Sequence, residues 1–394
     1  MELDPVETLR QLVAIPSVNP MGGAGKDTPF LETRLTEHLE QLFRRLGLRV
    51  ERQPVAGNRE NLIARLDGSI PPEDGGRVVL FDAHQDTVPA EGMTIAPFTP
   101  EVREGRLYGR GSCDTKGGMA AMLTAVARLA ELRPSNRPTV LVCCTVDEEY
   151  GFSGARALTE LWTGRQSGIV PRRPDVAVIA EPTDLDVVVA HKGVVRWKCH
   201  TAGRACHSAQ PEAGENAIYR MARALVAVER YAREVVAGTR SHPLCGAATL
   251  SVGTIHGGTS VNTVPDRCTI EIDRRLPPGE APEDARRELI EYLRRATEPT
   301  FSVQHDPPSM QGPALSDEFN GPLAEELAQV VRMVTGGCRK AGVAYATNAA
   351  LYSVAGVPSV VFGPGRLDQA HTKDEWLPLD QLHQAAEIYY RFAS

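Results

Sequence analysis

The sequence predicts an α/β protein in which a mostly parallel sheet is covered by helices and a smaller α+β domain is inserted into the chain. Three observations support this fold class. Short apolar runs of strand length alternate with helix-length segments through the first half of the chain, as in parallel sheets. The same alternation returns from about residue 317, and the region between follows a different order. A length of 394 residues also favours two domains.

The first helix is predicted where Leu and Phe recur at helical spacing from Leu31 to Leu46, with Gly47 as a stop. The strands that follow are predicted at 61–66, 77–81, 139–145 and 175–180, and the helices at 116–132 and 153–161. Near the end of the sequence, a helix from about 317, a strand at 359–362 and a helix from about 379 complete the pattern.

The middle of the chain predicts the inserted domain. Its strands are expected at 187–202, 247–255 and 267–274, and its helices at 215–236 and 281–296. Strands and long helices in this order are typical of an α+β unit. The predicted boundaries are therefore 1–191 for the first part of the main domain, 192–305 for the insertion and 306–394 for the second part.

Composition narrows the class of protein. The net charge of −7, with no polybasic stripe, argues against nucleic acid as a partner. The sequence contains no run of 18 apolar residues, so no membrane span is predicted. The acidic start of the sequence lacks the apolar core of a signal peptide. The eight cysteines include no C-x-x-C pair, so we expect buried thiols in a cytoplasmic protein.

Metal-ligand side chains follow four predicted strands. Ligands of open parallel sheets bind beyond the carboxyl ends of the strands. Each residue alone has an ordinary explanation as a loop or surface residue, but their coincidence predicts a metal site. Asp114, in a glycine-rich turn before a helix, can reach the same edge. The turn lacks the Gly-Lys-Ser/Thr ending of a phosphate-binding loop. The strand-end residues are His84, Asp86, Glu148, Glu149, Glu181 and His371.

These residues lie in motifs that resemble the M20 family of zinc amidohydrolases over nearly the whole chain. The motifs are His84-x-Asp86, Gly-x-x-Asp-x-Lys-Gly-Gly at 111–118, Asp-Glu-Glu at 147–149, Glu-Pro-Thr at 181–183, Gly-x-x-x-His-Ser at 203–208 and Ala-His at 370–371.

The resemblance implies a catalytic domain with two zinc ions per subunit, for which Co²⁺ or Mn²⁺ could substitute. The implied ligands are His84 and Glu181 at one ion, Glu149 and His371 at the other, and Asp114 bridging both. Glu148 would be the general base that moves a proton from water to the leaving amine. Asp86 would orient the His84 imidazole.

By the same resemblance, the insertion is a dimerisation domain and the enzyme is a homodimer. His207 would reach the partner's active site and help to hold the oxyanion of the tetrahedral intermediate. Asn262 and Arg275 would contact a small N-acyl amino acid substrate. The planar fork of Arg275 suits an α-carboxylate, although an exposed strand-end charge is its ordinary interpretation.

Within the family, the segments 181–193 and 363–375 resemble the acetylornithine deacetylases of arginine biosynthesis. Asn348 departs from them, because these enzymes usually carry an acid there, one that could pair with the ornithine ammonium. Succinyl-diaminopimelate desuccinylase and carboxypeptidase-like activities stay open as alternatives. An inactive binding protein on the same scaffold is a further alternative, against which stand the intact ligand positions and Glu148.

Overall fold

The computed structural model describes residues 2–23, 25, 29–163, 167–238 and 240–394. The chain divides into two units. The larger takes in Met1–Val189, Ser316–Ala341 and Thr347–Ser394, and the smaller takes in Ala190–Leu315 and Gly342–Ala346.

The α-helices of the described residues are α1 (Pro5–Val13), α2 (Thr33–Arg45), α3 (Lys116–Leu132), α4 (Ser153–Thr163), α5 (Ala217–Glu234), α6 (Pro282–Thr297), α7 (Gly321–Thr335), α8 (Ala349–Val354) and α9 (Leu379–Phe392). The strands are β1 (Arg49–Pro54), β2 (Glu60–Leu66), β3 (Val78–His84), β4 (Glu101–Arg103), β5 (Arg106–Tyr108), β6 (Thr139–Thr145), β7 (Val176–Ile179), β8 (Val187–His191), β9 (Gly193–Ala202), β10 (Ser241–His242), β11 (Gly246–Ala247), β12 (Thr249–Gly257), β13 (Arg267–Leu276), β14 (Val303–His305), β15 (Met310–Gly312), β16 (Lys340–Val343), β17 (Ser359–Val361) and β18 (Trp376–Pro378).

An eight-stranded sheet has the order β1-β2-β6-β3-β7-β17-β8-β16. Every residue of β3 and β6 is buried, as expected for strands covered on both faces, so the predicted α/β class is confirmed. The sheet is mixed rather than mostly parallel. The strands β6, β3, β7 and β17 are parallel neighbours, whereas β2 is antiparallel to both β1 and β6, and β8 is antiparallel to β17. The short connection between β1 and β2 forces the antiparallel pairing.

Helix α3 lies at the centre of the larger unit, and two glycines at its start let it approach its neighbours closely. A Cβ atom at Gly117 would lie 2.5 Å from both Leu377 Cδ2 and Ser112 O, and one at Gly118 would lie 2.7 Å from Ala180 Cβ. The Gly-Gly pair of the sequence motif therefore lets the start of α3 pack closely, Gly117 against Leu377 of β18 and Gly118 against Ala180, which follows β7.

In the smaller unit, a sheet of order β12-β13-β9-β14 packs against α5 and α6, and β15 also pairs with β9. The alternation along β13 buries Cys268, Ile270 and Ile272 in this core. The predicted insertion at 192–305 differs from the observed unit, which runs from Ala190 to Leu315. The difference arises because β14 and β15 both pair with β9, which keeps the chain in the smaller unit beyond residue 305.

Among the described ranges, every helix is too short or too polar to span a lipid bilayer. All eight cysteines lie in those ranges, and none of the eight is in a disulfide. Six of their side chains are buried, and Cys206 and Cys338 are half-buried.

Candidate metal centre

Four parallel strands direct their carboxyl ends to one edge of the large sheet, where open α/β sheets bind ligands. β3 ends at His84, and the turn that carries Glu148 and Glu149 follows β6. Glu181 follows β7 by two residues, and His371 comes later in the segment after β17. The sequence pattern of metal-ligand residues therefore corresponds to a set of neighbouring strand ends.

Two groups of metal-ligand atoms share Asp114 at this edge. In the first group, His84 Nε2 lies 3.0 Å from Asp114 Oδ1 and 3.7 Å from Glu181 Oε1. In the second, His371 Nε2 lies 3.3 Å from both Asp114 Oδ2 and Glu149 Oε1. Within each group, the ligand atoms lie within 4.8 Å of one another. Asp114 thus turns one carboxylate oxygen to each group.

Burial and crowding perturb the charges of both groups. Burial acts to lower the pKa of His371, but contacts with Asp114 and Glu149 outweigh it and raise that pKa to about 11. Burial and the Asp114 charge together raise the pKa of Glu181 well above its usual value. For Asp114 itself, burial acts upward, whereas the contacts with His371 and His84 hold its pKa below the usual range. The cluster therefore favours added positive charge.

The donor set fits a pair of divalent cations. Each group offers one imidazole nitrogen and carboxylate oxygens, the ligand types that zinc accepts. One buried carboxylate oxygen of the first group, Glu181 Oε1, has no hydrogen-bond partner among the described residues. Buried polar atoms without partners are costly, and a bound cation would satisfy a carboxylate oxygen of this kind.

Asp86 contacts both His84 and the turn that carries the two glutamates. The His84 Nδ1 atom lies 2.8 Å from the backbone oxygen of Asp86 but 3.7 Å from its carboxylate Oδ1. The two carboxylate oxygens instead accept the backbone N–H groups of Glu148 and Glu149, each at 3.1 Å. The Asp86 backbone therefore orients the imidazole, and its side chain orients the two glutamates.

Glu375 is a buried residue at the site to which sequence reasoning gave no role. Its carboxylate accepts the backbone N–H groups of Gly111, Cys113 and Asp114 at 2.8–3.0 Å, and Arg110 Nη1 donates to it at 2.7 Å. One side chain thus holds the loop that presents the shared ligand. Its position four residues after His371 was visible in the sequence, but no local pattern shows which distant amides it binds.

His207 and Asn262, both exposed, are neighbours within the smaller unit. The Ser208 N–H donates to the Asn262 backbone oxygen at 3.0 Å, and His207 forms a β-bridge with Thr263. His207 Nδ1 accepts the N–H of Ala209 at 3.1 Å. In the neutral ring, Nε2 therefore carries the proton and can donate a hydrogen bond.

Arg275 is half-buried in the smaller unit and already holds a carboxylate. Its Nε and Nη2 atoms donate to the two oxygens of Asp273 at 2.7 and 3.2 Å, and Arg196 Nε donates to the same acid at 2.6 Å. The planar fork that suggested an α-carboxylate ligand is thus engaged within its own strand. A substrate carboxylate would have to share or displace Asp273.

Asn348 is buried, with 1% of its surface exposed, and faces an acid on β3. Its Nδ2 donates to Asp82 Oδ2 at 3.0 Å and to Thr145 Oγ1 at 3.1 Å. The Tyr352 hydroxyl donates to the same Asp82 oxygen at 2.8 Å. The Asn348 amide nitrogen is therefore used inside the protein, beside the buried carboxylate of Asp82.

Comparison with known proteins agrees with this geometry. The model of peptidase family M20/M25/M40 matches residues 80–394. Acetylornithine deacetylase from Edwardsiella ictaluri is 32% identical over 384 residues, covering 94% of this chain and 92% of the relative. The same-named enzyme from Myxococcus xanthus is 30% identical over 368 residues, covering 91% and 90%. An M20 family metallo-carboxypeptidase from Sulfolobus solfataricus, 17% identical, shares the fold with a TM-score of 0.79 over 99% of this chain and 98% of its own. The chain therefore belongs to peptidase family M20/M25/M40.

Proposed function

We propose that this protein is a two-zinc hydrolase that cleaves the amide bond of N-acyl amino acids, with N-acetylornithine as the first substrate to test. The observation that carries the proposal is the pair of ligand groups that share Asp114. The choice of substrate is supported by two relatives, at 32% and 30% identity, that are named acetylornithine deacetylases.

In this proposal His84, Asp114 and Glu181 hold one metal ion, and Asp114, Glu149 and His371 hold the other. Zinc suits these donors, and Co²⁺ or Mn²⁺ are substitutes to test. When bound, a metal pair supplies polarisation of the amide carbonyl and a lower pKa for the attacking water. Asp114 keeps the two groups together because each of its oxygens serves one of them.

Glu148 acts as the general base and acid. It takes a proton from the water that attacks the carbonyl carbon, and it returns a proton to the nitrogen as the C–N bond breaks, leaving a carboxylate and an amine. Its carboxyl group suits proton transfer because burial, together with the charge of Glu149, raises its pKa well above the usual value. The Asp86 carboxylate fixes its backbone N–H.

We further propose a homodimer in which His207 of the partner subunit donates its Nε2–H to the oxyanion, while Asn262 and Arg275 contact the substrate. Exposed apolar residues of the smaller unit support association. Val261 is 99% exposed, and Ile255 on the edge strand β12 is 51% exposed. Tyr219 and Val226 of α5 are 66% and 58% exposed. Unprotected edge strands and apolar surface are typical of interfaces.

The proposed place of action is the cytoplasm, in the arginine biosynthesis to which the names of the relatives point. Buried thiols are typical of proteins in that reducing compartment, and six of the eight cysteines here are buried. Desuccinylation of succinyl-diaminopimelate and carboxypeptidase-like cleavage are the alternatives within the family. The buried acid Asp82 lies beside Asn348. Which amino-acid side chain of the substrate is preferred is therefore a question for the substrate panel.

A substrate panel tests the proposed reaction. The purified protein should release acetate and ornithine from N-acetylornithine faster than it cleaves N-succinyl amino acids or dipeptides. A chelator should abolish the release, and added Zn²⁺ should restore it, because the two ligand groups need cations. Cleavage of dipeptides with N-acyl amino acids untouched would favour a peptidase. Metal binding without any cleavage would favour the inactive binding protein.

Mixed dimers test the role of His207. The variants His207→Ala and Glu148→Ala should each be nearly inactive. After random exchange of subunits, activity should return to about a quarter of wild-type, since half of the dimers are hybrids and each hybrid has one intact site. Restored acetate release measures this directly.

The matched control mixes Glu148→Ala with Asp114→Ala. Both residues belong to the same catalytic domain, so every site of a hybrid carries one defect and no activity should return. If subunits exchange and the His207→Ala mixture also stays inactive, His207 does not serve a neighbouring subunit.

A further inference from the structure

Arg59 is a buried cation of the larger unit with no role in the site described so far. It directly precedes β2, and its side chain is 11% exposed. Its Nη1 donates to Asp147 Oδ1 at 2.7 Å, and its Nε donates to Glu32 Oε2 at 3.0 Å. Nη2 completes a two-pronged contact with Glu32, whose side chain is 1% exposed. A cation held this way is fixed in position.

Two carboxylates of the catalytic edge lie side by side next to Arg59. Asn19 Nδ2 donates to Asp86 Oδ2 at 2.8 Å and to Asp147 Oδ1 at 3.1 Å, so a single nitrogen joins both acids. Arg59 Nη2 lies 3.8 Å from Asp86 Oδ2. Among the Lys and Arg side chains that the structure describes, only Arg59 comes within 4.0 Å of either acid. Two buried carboxylates that share one donor are stabilised by a cation held beside them.

The turn that carries Glu148 and Glu149 is held by hydrogen bonds to these two acids. Asp86 accepts the N–H groups of Glu148 and Glu149. Asp147 begins the turn with φ of +64°, in the left-handed region that non-glycine residues rarely adopt. Its Oδ2 accepts the Ser153 hydroxyl at 2.7 Å. The conformation of the turn therefore depends on both side chains staying in place.

We propose that Arg59 is a positioning residue for Glu148 and Glu149: its guanidinium group holds Asp147 directly and lies beside Asp86, and these two side chains hold the turn that presents both glutamates. The effect on turnover rests on the proposed role of Glu148 as the base, whereas the effect on the turn does not. A catalytic base must lie within hydrogen-bond reach of its proton, so a small displacement of Glu148 is costly.

Arg65, on strand β2, offers a matched control. Its side chain is 10% exposed and pairs with Asp67, so Arg65→Met removes a guanidinium of similar burial. Neither Arg65 nor Asp67 contacts the turn at 147–153 in the hydrogen bonds and ion pairs of the described residues. Comparing Arg59→Met with Arg65→Met therefore separates the loss of a buried guanidinium from the loss of this particular one.

The first measurement is amide hydrogen exchange of the full-length protein, with and without chelator. In Arg59→Met, the Glu148 and Glu149 amides should exchange about tenfold faster, the size expected when a hydrogen bond to a charged group weakens. Exchange at the same amides should not change in Arg65→Met. Because the effect is expected also after chelation, it does not depend on the activity of metal-loaded enzyme.

The second measurement is kinetics of the metal-loaded enzyme. Arg59→Met should lower kcat about 10- to 100-fold and change KM less than about threefold, since the substrate contacts are untouched. Arg59→Lys should retain part of the activity. Adding Asp147→Asn to Arg59→Met should restore part of kcat, because it removes one of the two adjacent charges. A role in packing alone predicts no such rescue.

Each combination of exchange and kinetic results leads to a different conclusion. Unchanged exchange at Glu148 and Glu149 in Arg59→Met overturns the inference, as does equal acceleration in Arg65→Met. Faster exchange with normal kcat supports the positioning of the turn and contradicts the proposed role of Glu148. Faster exchange, lower kcat and rescue by Asp147→Asn support both.

Discussion

Replacing Glu148 with Gln should lower kcat by about 10²–10⁴-fold, the usual cost of losing a general base, while both metal ions stay bound. Gln keeps the shape of the side chain and removes the basic oxygen. Glu148 is buried, and its Oε1 has no partner among the described residues, so the oxygen is available for a proton rather than for a structural hydrogen bond. Single-turnover kinetics with metal analysis measures both quantities.

Glu149→Gln is the informative companion, because Glu149 lies beside Glu148 but belongs to a ligand group. It should lower the metal content toward one ion per chain. If Glu148→Gln empties a metal site and Glu149→Gln does not, the roles of base and ligand are exchanged.

Asp114→Ala should abolish activity and weaken the binding of both metal ions together. Asp114 Oδ1 faces His84 and Oδ2 faces His371, so one substitution removes a ligand from each group. Loss of the shared carboxylate also removes negative charge that attracts both cations. Metal titration by calorimetry, with metal content measured after dialysis, should show two weakened sites.

Glu181→Gln is the control for the bridge, since Glu181 contributes to one group only. It should weaken one ion and leave the other bound. Retention of one tightly held ion in Asp114→Ala would contradict a shared ligand. Circular dichroism of both variants guards against confusing metal loss with unfolding.

The sequence was most informative where chemistry follows a strand. His84, Glu148, Glu149 and Glu181 were found because parallel strands bring their carboxyl ends to one edge. The contacts of Asp86 were not found, since choosing between the His84 imidazole and the two glutamate amides requires distances of about an ångström. The spacing of two residues from His84 is compatible with either arrangement.

Contacts between distant parts of the chain also escaped prediction. Arg59 and Asp147 are 88 residues apart, and Glu375 lies 264 residues after Gly111. Both acceptors are acids in polar segments, which from the sequence alone resemble solvated loops. The strands around His305 and Met310 were missed for a similar reason, because their pairing partner β9 lies about a hundred residues earlier in the chain.

The hydrogen bonds between Glu375 and the loop at 111–114 have a consequence for the way a newly made chain matures. During synthesis, Gly111 and its loop leave the ribosome well before Glu375, whose carboxylate orders the loop and which lies 264 residues later in the chain. His371, the ligand of the second group, arrives only four residues earlier than Glu375. Before Glu375 emerges, a nascent chain can expose His84 and Glu181 but can neither fix Asp114 through Glu375 nor bring His371 to the second group. The order of synthesis therefore delays the assembly of the full centre until nearly all of this sequence has emerged.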